Sequence, residues 1–209
     1  MSKIEEIAAA VSAGKSKVIG GLVLEALDAG LDPLEILNVG MIGAMGVVGE
    51  RFKSGEIFVP EMLIAARAMK AGVEVLKPKL SGAAKVGLGT CIIGTVAGDM
   101  HDIGKNLVSM MIESAGFTLI DLGVDVKNEA FLAKLEATPE AKLVALSCLL
   151  TTTMPAMRSA VAAMRGAGVK AKIIVGGAPV TQAFAAEIGA DGYAPDAASA
   201  ATAAKGMVA

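Results

Sequence analysis

The hydrophobic pattern of this chain changes once, at Lys77-Pro78-Lys79-Leu80-Ser81-Gly82. Before this segment, apolar residues recur only at helical spacing, whereas after it short apolar runs alternate with helical patterns. Charge, proline and glycine within six residues are typical of a linker. The sequence therefore predicts an all-α domain over residues 1–82 and an α/β domain over residues 83–209.

Four helices with short connections are predicted in the first domain. Helical spacing runs from Ile4 to Val11 and from Val18 to Ala26. Asp32 precedes a proline and can cap a third helix that continues to about Phe52, and Pro60 opens the fourth. Such a set favours a compact four-helix bundle.

Five strands alternate with five helices in the second domain. The strands are predicted over Lys85–Ile93, Thr118–Leu122, Leu143–Cys148, Lys172–Val175 and Gly192–Ala194, and the helices over about 103–115, 127–137, 154–166, 181–188 and 197–207. This alternation predicts a parallel, doubly wound sheet, and five strands fit a flavodoxin/Rossmann-like order.

Composition and charge exclude several classes of function. The 19 basic and 21 acidic residues contain no basic run, so we expect no nucleic-acid binding. No uncharged apolar stretch reaches 18 residues, and acids near the N-terminus argue against a signal sequence. Cys91 and Cys148 both lie in apolar runs and are interpreted as free buried thiols. We therefore expect a cytoplasmic protein without a membrane partner.

The single histidine lies in a glycine-rich segment that follows the first predicted strand. There, Asp99, His101 and Gly104 form the pattern Asp-x-His-x-x-Gly, at the edge where open α/β sheets place ligands. A metal-bound imidazole usually donates its second N–H to a carboxylate, which Asp99 can provide, and Thr153 is the candidate for bonding to Asp99 in turn. One histidine cannot build a zinc or iron site, so the metal is expected in a macrocycle, haem or corrin.

Two later segments extend this pattern. Forty-two residues separate Gly104 from Ser147, which opens Ser-Cys-Leu-Leu-Thr, and 26 residues separate Leu149 from Gly176-Gly177. The three segments in this order resemble the fingerprint of cobalamin-binding domains. The resemblance favours corrin and implies that the glycines leave room for the cofactor's nucleotide tail. The alternative, that the glycines only form turns, stays open.

The helical half carries a second resemblance. Val47–Phe52, Gly55–Pro60 and Ala65–Met69 resemble the helical cap domain of methyl-cobalamin-dependent methyltransferases. This implies an apolar lid over the upper, methyl-bearing face of the corrin, although bundle core is the simpler interpretation of the same side chains. The cap residues that the resemblance places against the cofactor are Phe52, Val59, Met62 and, with a different residue type, Asn38.

Further site residues follow from the first resemblance. It implies that His101 is the lower axial cobalt ligand and that Asp99 and Thr153 form its catalytic relay, with threonine in place of the more familiar serine. The other implied cofactor-binding positions are Gly98, Met100, Asp102, Ile103, Gly104, Ser147, Leu149, Thr151, Gly176, Gly177, Tyr193 and Ala197.

We expect structural roles for three charged residues near the site. We expect Lys105 to be solvated or to pair locally at a helix start. We expect Asp121 and Asp125 to shape a loop rather than to bind a metal.

The whole chain resembles the stand-alone corrinoid protein of three-component methyltransferase systems, and the cap plus cobalamin module of methionine synthase. The resemblance implies cobalamin, or a related corrinoid, whose cobalt carries a methyl group. A donor-specific methyltransferase would load the carrier, and an acceptor methyltransferase using tetrahydrofolate or a thiol would unload it. A separate reductive activator is also implied. The donor stays open between methanol, methylamines, betaines and aryl methyl ethers.

Other functions are compatible with parts of this pattern. A cobalamin-dependent mutase subunit shares the histidine segment but does not need the cap motif. A cobalamin-binding sensor or regulator needs a DNA-binding domain, for which residues 1–30 are too few. The methionine synthase module belongs to a much longer chain. A flavodoxin-like domain without corrin would leave the three segments unexplained.

Overall fold

A helical unit and a sheet unit make up the chain in the computed structural model, which describes residues 1–80 and 87–208. The helical unit comprises Met1–Gly87 with Ser114–Gly116, and the sheet unit Leu88–Glu113 with Phe117–Ala209. The predicted domain boundary after residue 82 and the predicted strand start at Lys85 lie outside the described residues.

Side-chain caps start two of the helices in the helical unit. Ser2 accepts the Glu5 N–H at 3.2 Å, while the Glu5 carboxylate accepts the Ser2 N–H at 2.7 Å, which forms a capping box. Asp32 accepts the Leu34 N–H at 3.2 Å beside Pro33, as predicted. The elements are α1 (Lys3–Ser12), α2 (Ile19–Asp28), α3 (Pro33–Glu35), a π-helical segment (Ile36–Ile42), α4 (Gly43–Lys53) and α5 (Val59–Leu80).

The π-helical segment was not predicted. Sequence spacing indicated one α-helix from Asp32 to Phe52, but the backbone widens over Ile36–Ile42. Ile36 and Met41 are five residues apart and both are buried, as are Leu37 and Ile42. Hydrogen bonding between residues five apart brings such pairs onto the same face of the helix, which explains the wider turn.

Five parallel strands form the sheet unit in the order β2-β1-β3-β4-β5. The predicted fold class, a helical region followed by a flavodoxin-like parallel sheet, is confirmed. The strands are β1 (Gly89–Thr95), β2 (Phe117–Asp121), β3 (Ala141–Ser147), β4 (Lys172–Gly176) and β5 (Gly192–Ala194). The helices are α6 (Ile103–Ser114), α7 (Asn128–Glu136), α8 (Met154–Gly166), α9 (Gln182–Glu187) and α10 (Ala197–Val208), with a 3₁₀ turn at Thr151–Thr153.

The central strands are buried on both faces, which explains their continuous apolar sequences. Ile92, Val144 and Ile173 lie in the core with Phe131 of α7 and Met157 of α8. Both cysteines are free and buried, as predicted. Burial raises the pKa of Cys91 to about 12. Burial and the nearby charge of Asp99 raise the pKa of Cys148 to about 11.

Residues that end the strands lie side by side at the carboxyl edge of the sheet. Thr95 pairs with Ser147, Ser147 with Gly176, and Gly176 with Ala194. The strand order reverses between β1 and β3, which is where ligands bind in sheets of this kind. No helix in the described part of the chain combines the length and hydropathy that a membrane crossing requires.

Candidate functional site

The histidine loop, residues 96–102, joins β1 to α6. At its start the buried Thr95 hydroxyl donates to the His101 carbonyl at 2.9 Å. The His101 side chain is 50% exposed, so its ring is accessible from the carboxyl edge of the sheet. The loop therefore presents one imidazole on a backbone that is fixed from below.

A fully buried carboxylate holds the imidazole. Asp99 Oδ1 lies 2.7 Å from His101 Nδ1 and accepts the His101 backbone N–H at 3.1 Å. Asp99 Oδ2 accepts the Leu149 backbone N–H at 2.7 Å and the Thr153 hydroxyl at 2.8 Å. The sequence-predicted trio His101, Asp99 and Thr153 is thus brought together, and Leu149 joins it through its main chain.

Burial by itself raises the pKa of the Asp99 carboxyl. The hydrogen bonds from the Leu149 and His101 backbones, the His101 ring and the Thr153 hydroxyl outweigh this, so the pKa lies well below its usual range. Asp99 is therefore ionised and accepts a hydrogen bond from Nδ1. In a neutral ring the lone pair is then on Nε2, which has no hydrogen-bond partner within residues 1–80 and 87–208.

This imidazole can act as a metal ligand, but the described residues do not provide a complete set of ligands around it. Its Nδ1–H is paired with a carboxylate, which is the usual arrangement behind a ligating histidine. Among the described residues there is no group of three or more His, Cys, Asp or Glu side chains able to hold an ion. A metal bound here must bring its other ligands with it, as in a macrocycle.

Exposed apolar side chains are concentrated at this site. In the described part of the sheet unit, four large hydrophobic residues are exposed: Met100 at 69%, Ile103 at 79%, Leu149 at 43% and Leu150 at 42%. Met100 and Ile103 flank His101 in sequence, and Leu149 donates to Asp99. A solvent-facing apolar patch around one imidazole is suited to a broad, largely apolar ring system.

Two glycines at the site differ in whether the fold requires the absence of a side chain. Gly104 lies in the first turn of α6, and a Cβ there would meet no atom within 4 Å. Gly177 has φ +127°, and a Cβ would lie 1.7 Å from the Cys148 carbonyl oxygen. The fold itself therefore requires Gly177, whereas Gly104 leaves open space beside the histidine loop.

The remaining predicted positions of the sheet unit lie at its carboxyl edge or just beyond it. Ser147 and Gly176 end β3 and β4, and Thr151 is exposed in the 3₁₀ turn. Tyr193 is half-buried in β5, and Ala197 begins α10. Gly98 and Asp102 are exposed in the histidine loop, and Asp102 accepts the Asn106 side-chain amide at 3.2 Å.

In the helical unit the predicted cofactor residues differ in exposure. Asn38 is exposed in the π-helical segment, and Phe52 and Val59 are half-buried. Met62 is completely buried. The burial of Met62 agrees with bundle core, the simpler of the two sequence interpretations.

Of the two roles expected for Lys105, solvation is wrong, whereas local pairing at the helix start is observed together with a longer-range ion pair. Its side chain is 2% exposed, and its ammonium pairs with Asp121 at the end of β2 and with the Asn106 side-chain oxygen at 2.8 Å. The ion pair with Asp121 satisfies the buried charge. Sequence spacing did not indicate this pair, because its members lie on a helix and the next strand.

Comparison with known proteins identifies the family of this chain. One family model, described as a B12 binding domain, matches residues 89–202, more than half of the chain. The chain belongs to the B12-binding family. A second model, also described as a B12 binding domain, matches residues 3–77 of this B12-binding protein. The predicted cofactor, cobalamin or a related corrinoid, is confirmed.

Relatives of this B12-binding protein match it over four fifths of its length or more. It is 41% identical to dimethylamine corrinoid protein 1 of Methanosarcina acetivorans, over 99% of this chain and 97% of that protein. It is 47% identical to trimethylamine corrinoid protein 2 of the same organism, over 81% and 79%. A chain in the crystal structure of the methanol:cobalamin methyltransferase complex MtaBC of Methanosarcina barkeri matches with a TM-score of 0.86 and 32% identity. The match covers 99% of this chain and 79% of the chain in that complex.

Proposed function

We propose that this protein is a corrinoid methyl carrier, which takes a methyl group from one methyltransferase and delivers it to another. Relatives at 41% and 47% identity are named for dimethylamine and trimethylamine, and a structural neighbour belongs to a methanol:cobalamin methyltransferase complex. These names favour the carrier over a cobalamin sensor or a mutase subunit. The structural observation that carries the proposal is the exposed His101 imidazole, held by Asp99 within an apolar patch.

The bound corrinoid supplies a cobalt atom on which a methyl group can be carried. His101 would hold the cobalt through the lone pair of Nε2, and Asp99, which accepts the Nδ1–H, would increase the basicity of the ring. Thr153 and the Leu149 N–H keep Asp99 ionised and in place. These groups would set how strongly the imidazole of His101 holds the cobalt.

The apolar patch of Met100, Ile103, Leu149 and Leu150 is proposed to contact the lower face of the ring. These side chains expose 42–79% of their surface. Covering them would contribute a favourable free energy of roughly 25 cal/mol per Å² of apolar area removed from water. Gly104 presents no side chain there. The protein would therefore support the ring with apolar side chains beside His101.

The nucleotide tail is proposed to bind at the carboxyl edge between β1, β3 and β4. Small residues at adjacent strand ends, Ser147 and Gly176, support this assignment, because they leave little side-chain bulk there. The proposed tail site also includes Gly177, Thr151, Tyr193 and Ala197. Gly98 and Asp102 complete the histidine loop beside it.

The helical region is proposed to cap the upper face. We assign the cap to residues 1–82 and the corrinoid domain to residues 83–209. Asn38, Phe52 and Val59 have exposed or partly exposed side chains that support contact with the ring. Met62 is buried, so we propose that it supports this apolar surface rather than forming its outer layer.

The proposed partners are a donor-specific methyltransferase, an acceptor methyltransferase that uses tetrahydrofolate or a thiol, and a reductive activator. The carrier would work in the cytoplasm without nucleic acid or membrane. The relatives named for methylamines make dimethylamine and trimethylamine the first donors to supply to a reconstituted system.

The test uses the single histidine. Protein grown on nitrogen-15 histidine is loaded with cobalamin, and the electron paramagnetic resonance of its cobalt(II) form is recorded. We expect the label to change the nitrogen splitting of the cobalt lines, and His101→Ala to lose this splitting while retaining some cobalamin. Splitting that is insensitive to the label would overturn the assignment of His101.

Methyl transfer needs a separate measurement. Loaded, reduced protein is mixed with a methylamine:corrinoid methyltransferase and its substrate, and methylation is followed by visible absorption. We expect methylation of the corrinoid that depends on both proteins. We also expect transfer of the methyl group to a thiol when an acceptor methyltransferase is added. A protein that binds cobalamin through His101 but accepts no methyl group from any of the four donor classes would contradict the carrier function.

A further inference from the structure

The loop after β2 contains the strained residue of the sheet unit. Asp125 has φ +52°, and it is the one non-glycine residue with positive φ in the described part of the chain. Side chains other than Asn and Asp rarely adopt this conformation. Such strain persists only when surrounding contacts over-determine it.

Asp125 makes two hydrogen bonds to the first half of the histidine loop. Its carboxylate Oδ1 accepts the Gly98 backbone N–H at 2.7 Å, and its own backbone N–H donates to the Asp99 carbonyl at 2.9 Å. The positive φ of Asp125 lets one residue make both contacts. Gly98 and Asp99 immediately precede the His101 turn, so Asp125 fixes the entry of the loop.

Asp121 contacts the helix that follows the same loop. Its carboxylate accepts a hydrogen bond from the buried Lys105 ammonium, in the first turn of α6, and accepts the Gly123 N–H at 2.8 Å. Between the two acids, the Gly123 carbonyl accepts the Thr95 N–H at 3.0 Å. Residues 121–125 thus contact the strand before the histidine loop, the loop itself and the helix that follows it.

We infer that residues 121–125 form a clasp that sets the position of the His101 imidazole, with Asp125 and Asp121 as positioning residues for axial ligation. The inference rests on the proposed function, because it concerns the strength of ligation by His101. Neither carboxylate bonds to the His101 ring. Both act through backbone and helix positions that determine where the ring can stand.

Three substitutions at Asp125 separate backbone conformation from hydrogen bonding. Asp125→Asn tolerates positive φ and keeps an oxygen acceptor for Gly98. Asp125→Gly tolerates positive φ but removes the acceptor, and Asp125→Ala removes both. A matched control is Asp191→Asn, because Asp191 accepts the Arg165 guanidinium at 2.5 Å and the Ile173 N–H at 2.7 Å, away from the histidine loop.

The readout is the ratio of histidine-ligated to unligated cobalt(II), from the nitrogen-15 splitting, at the pH where wild-type protein is half-ligated. We expect Asp125→Gly to lower this ratio about tenfold, the scale of one charge-assisted hydrogen bond, and Asp125→Asn to restore most of it. Asp125→Ala should fall below Asp125→Gly, and Asp191→Asn should match wild type. Urea unfolding of each cobalamin-free variant verifies that it is folded.

Lys105→Met tests the other end of the clasp, since it keeps the buried stem but removes the charge that pairs with Asp121. We expect the same direction of change in the ratio. Wild-type ratios in both Asp125→Gly and Lys105→Met would overturn the clasp while leaving the proposed function intact. A wild-type protein without label-sensitive splitting would instead overturn the proposed assignment of His101 as the cobalt ligand and, with it, this inference.

Discussion

The backbone N–H of Leu149 lies 2.7 Å from Oδ2 of Asp99, across a separation of 50 residues, and connects the end of β3 to the histidine loop. A main-chain donor cannot be removed by exchanging a side chain. The Asp99 carboxylate therefore keeps part of its anchoring whatever residue stands at position 153. This makes the contribution of the Thr153 hydroxyl measurable by itself.

Thr153→Val should destabilise the cobalamin-free protein by about 1–3 kcal/mol, because it removes a hydroxyl donor from a buried carboxylate. Thr153→Ser should stay within about 0.5 kcal/mol of wild type, since it keeps the hydroxyl. The free energy of unfolding in urea measures both. Equal losses in the two variants would indicate that packing, and not the hydrogen bond, matters at this position.

Stability should depend on pH through Asp99. Its pKa is lowered in the folded state, so its contribution is complete above the unfolded value of about 3.9 and is lost as pH falls below that value. Wild-type protein should lose unfolding free energy below about pH 4, and Asp99→Asn should be less stable at pH 7 but flatter in acid. Parallel curves for the two proteins between pH 3 and 7 would contradict the assignment.

Asp191 provides a comparison for the acid titration. Burial opposes its ionisation, but the Arg165 guanidinium and the Ile173 N–H outweigh burial and lower its pKa. Asp191→Asn should therefore also reduce the loss of unfolding free energy as the pH falls into the acid range. Any effect on cobalt ligation should be confined to Asp99→Asn.

Both thiols should be unreactive in the folded protein. The pKa values of Cys91 and Cys148, about 12 and about 11, leave almost no thiolate at pH 8. Alkylation by iodoacetamide should be at least about a hundredfold slower than in urea, where the thiols have ordinary pKa values. Mass spectrometry after timed quenching gives both rates, and rapid native alkylation of either cysteine would refute this.

Gly104→Ala and Gly177→Ala should act in opposite directions on the cobalamin-free protein. Alanine at 104 enters open space in a helix and should stabilise by about 0.5–1 kcal/mol, while weakening cobalamin binding if the ring lies there. Alanine at 177 would collide with the Cys148 carbonyl and should cost about 3 kcal/mol or more. Thermal unfolding and cobalamin titration separate the two effects, and tighter binding by Gly104→Ala would exclude ring contact at this position.

The sequence predicted the sheet well, because buried parallel strands are continuous apolar runs and their order follows from βαβ connections. It missed the π-helical segment, since burial at Ile36, Leu37, Met41 and Ile42 fits helical spacing almost as well as five-residue spacing. The hydrogen-bonded trio of His101, Asp99 and Thr153 could be predicted because its contacts are made by side chains. The donor at Leu149 and the pairing of Lys105 with Asp121 could not, because one is main chain and the other depends on how α6 packs on β2.

Tyr193 in β5 has an optical consequence. The chain has no tryptophan and one tyrosine, so its tyrosine emission comes from a single side chain, half-buried in the edge strand beside β4. A coloured cofactor bound at the carboxyl edge would quench this emission by energy transfer. Loading can therefore be followed in the native protein, without any label, from the fluorescence of one residue.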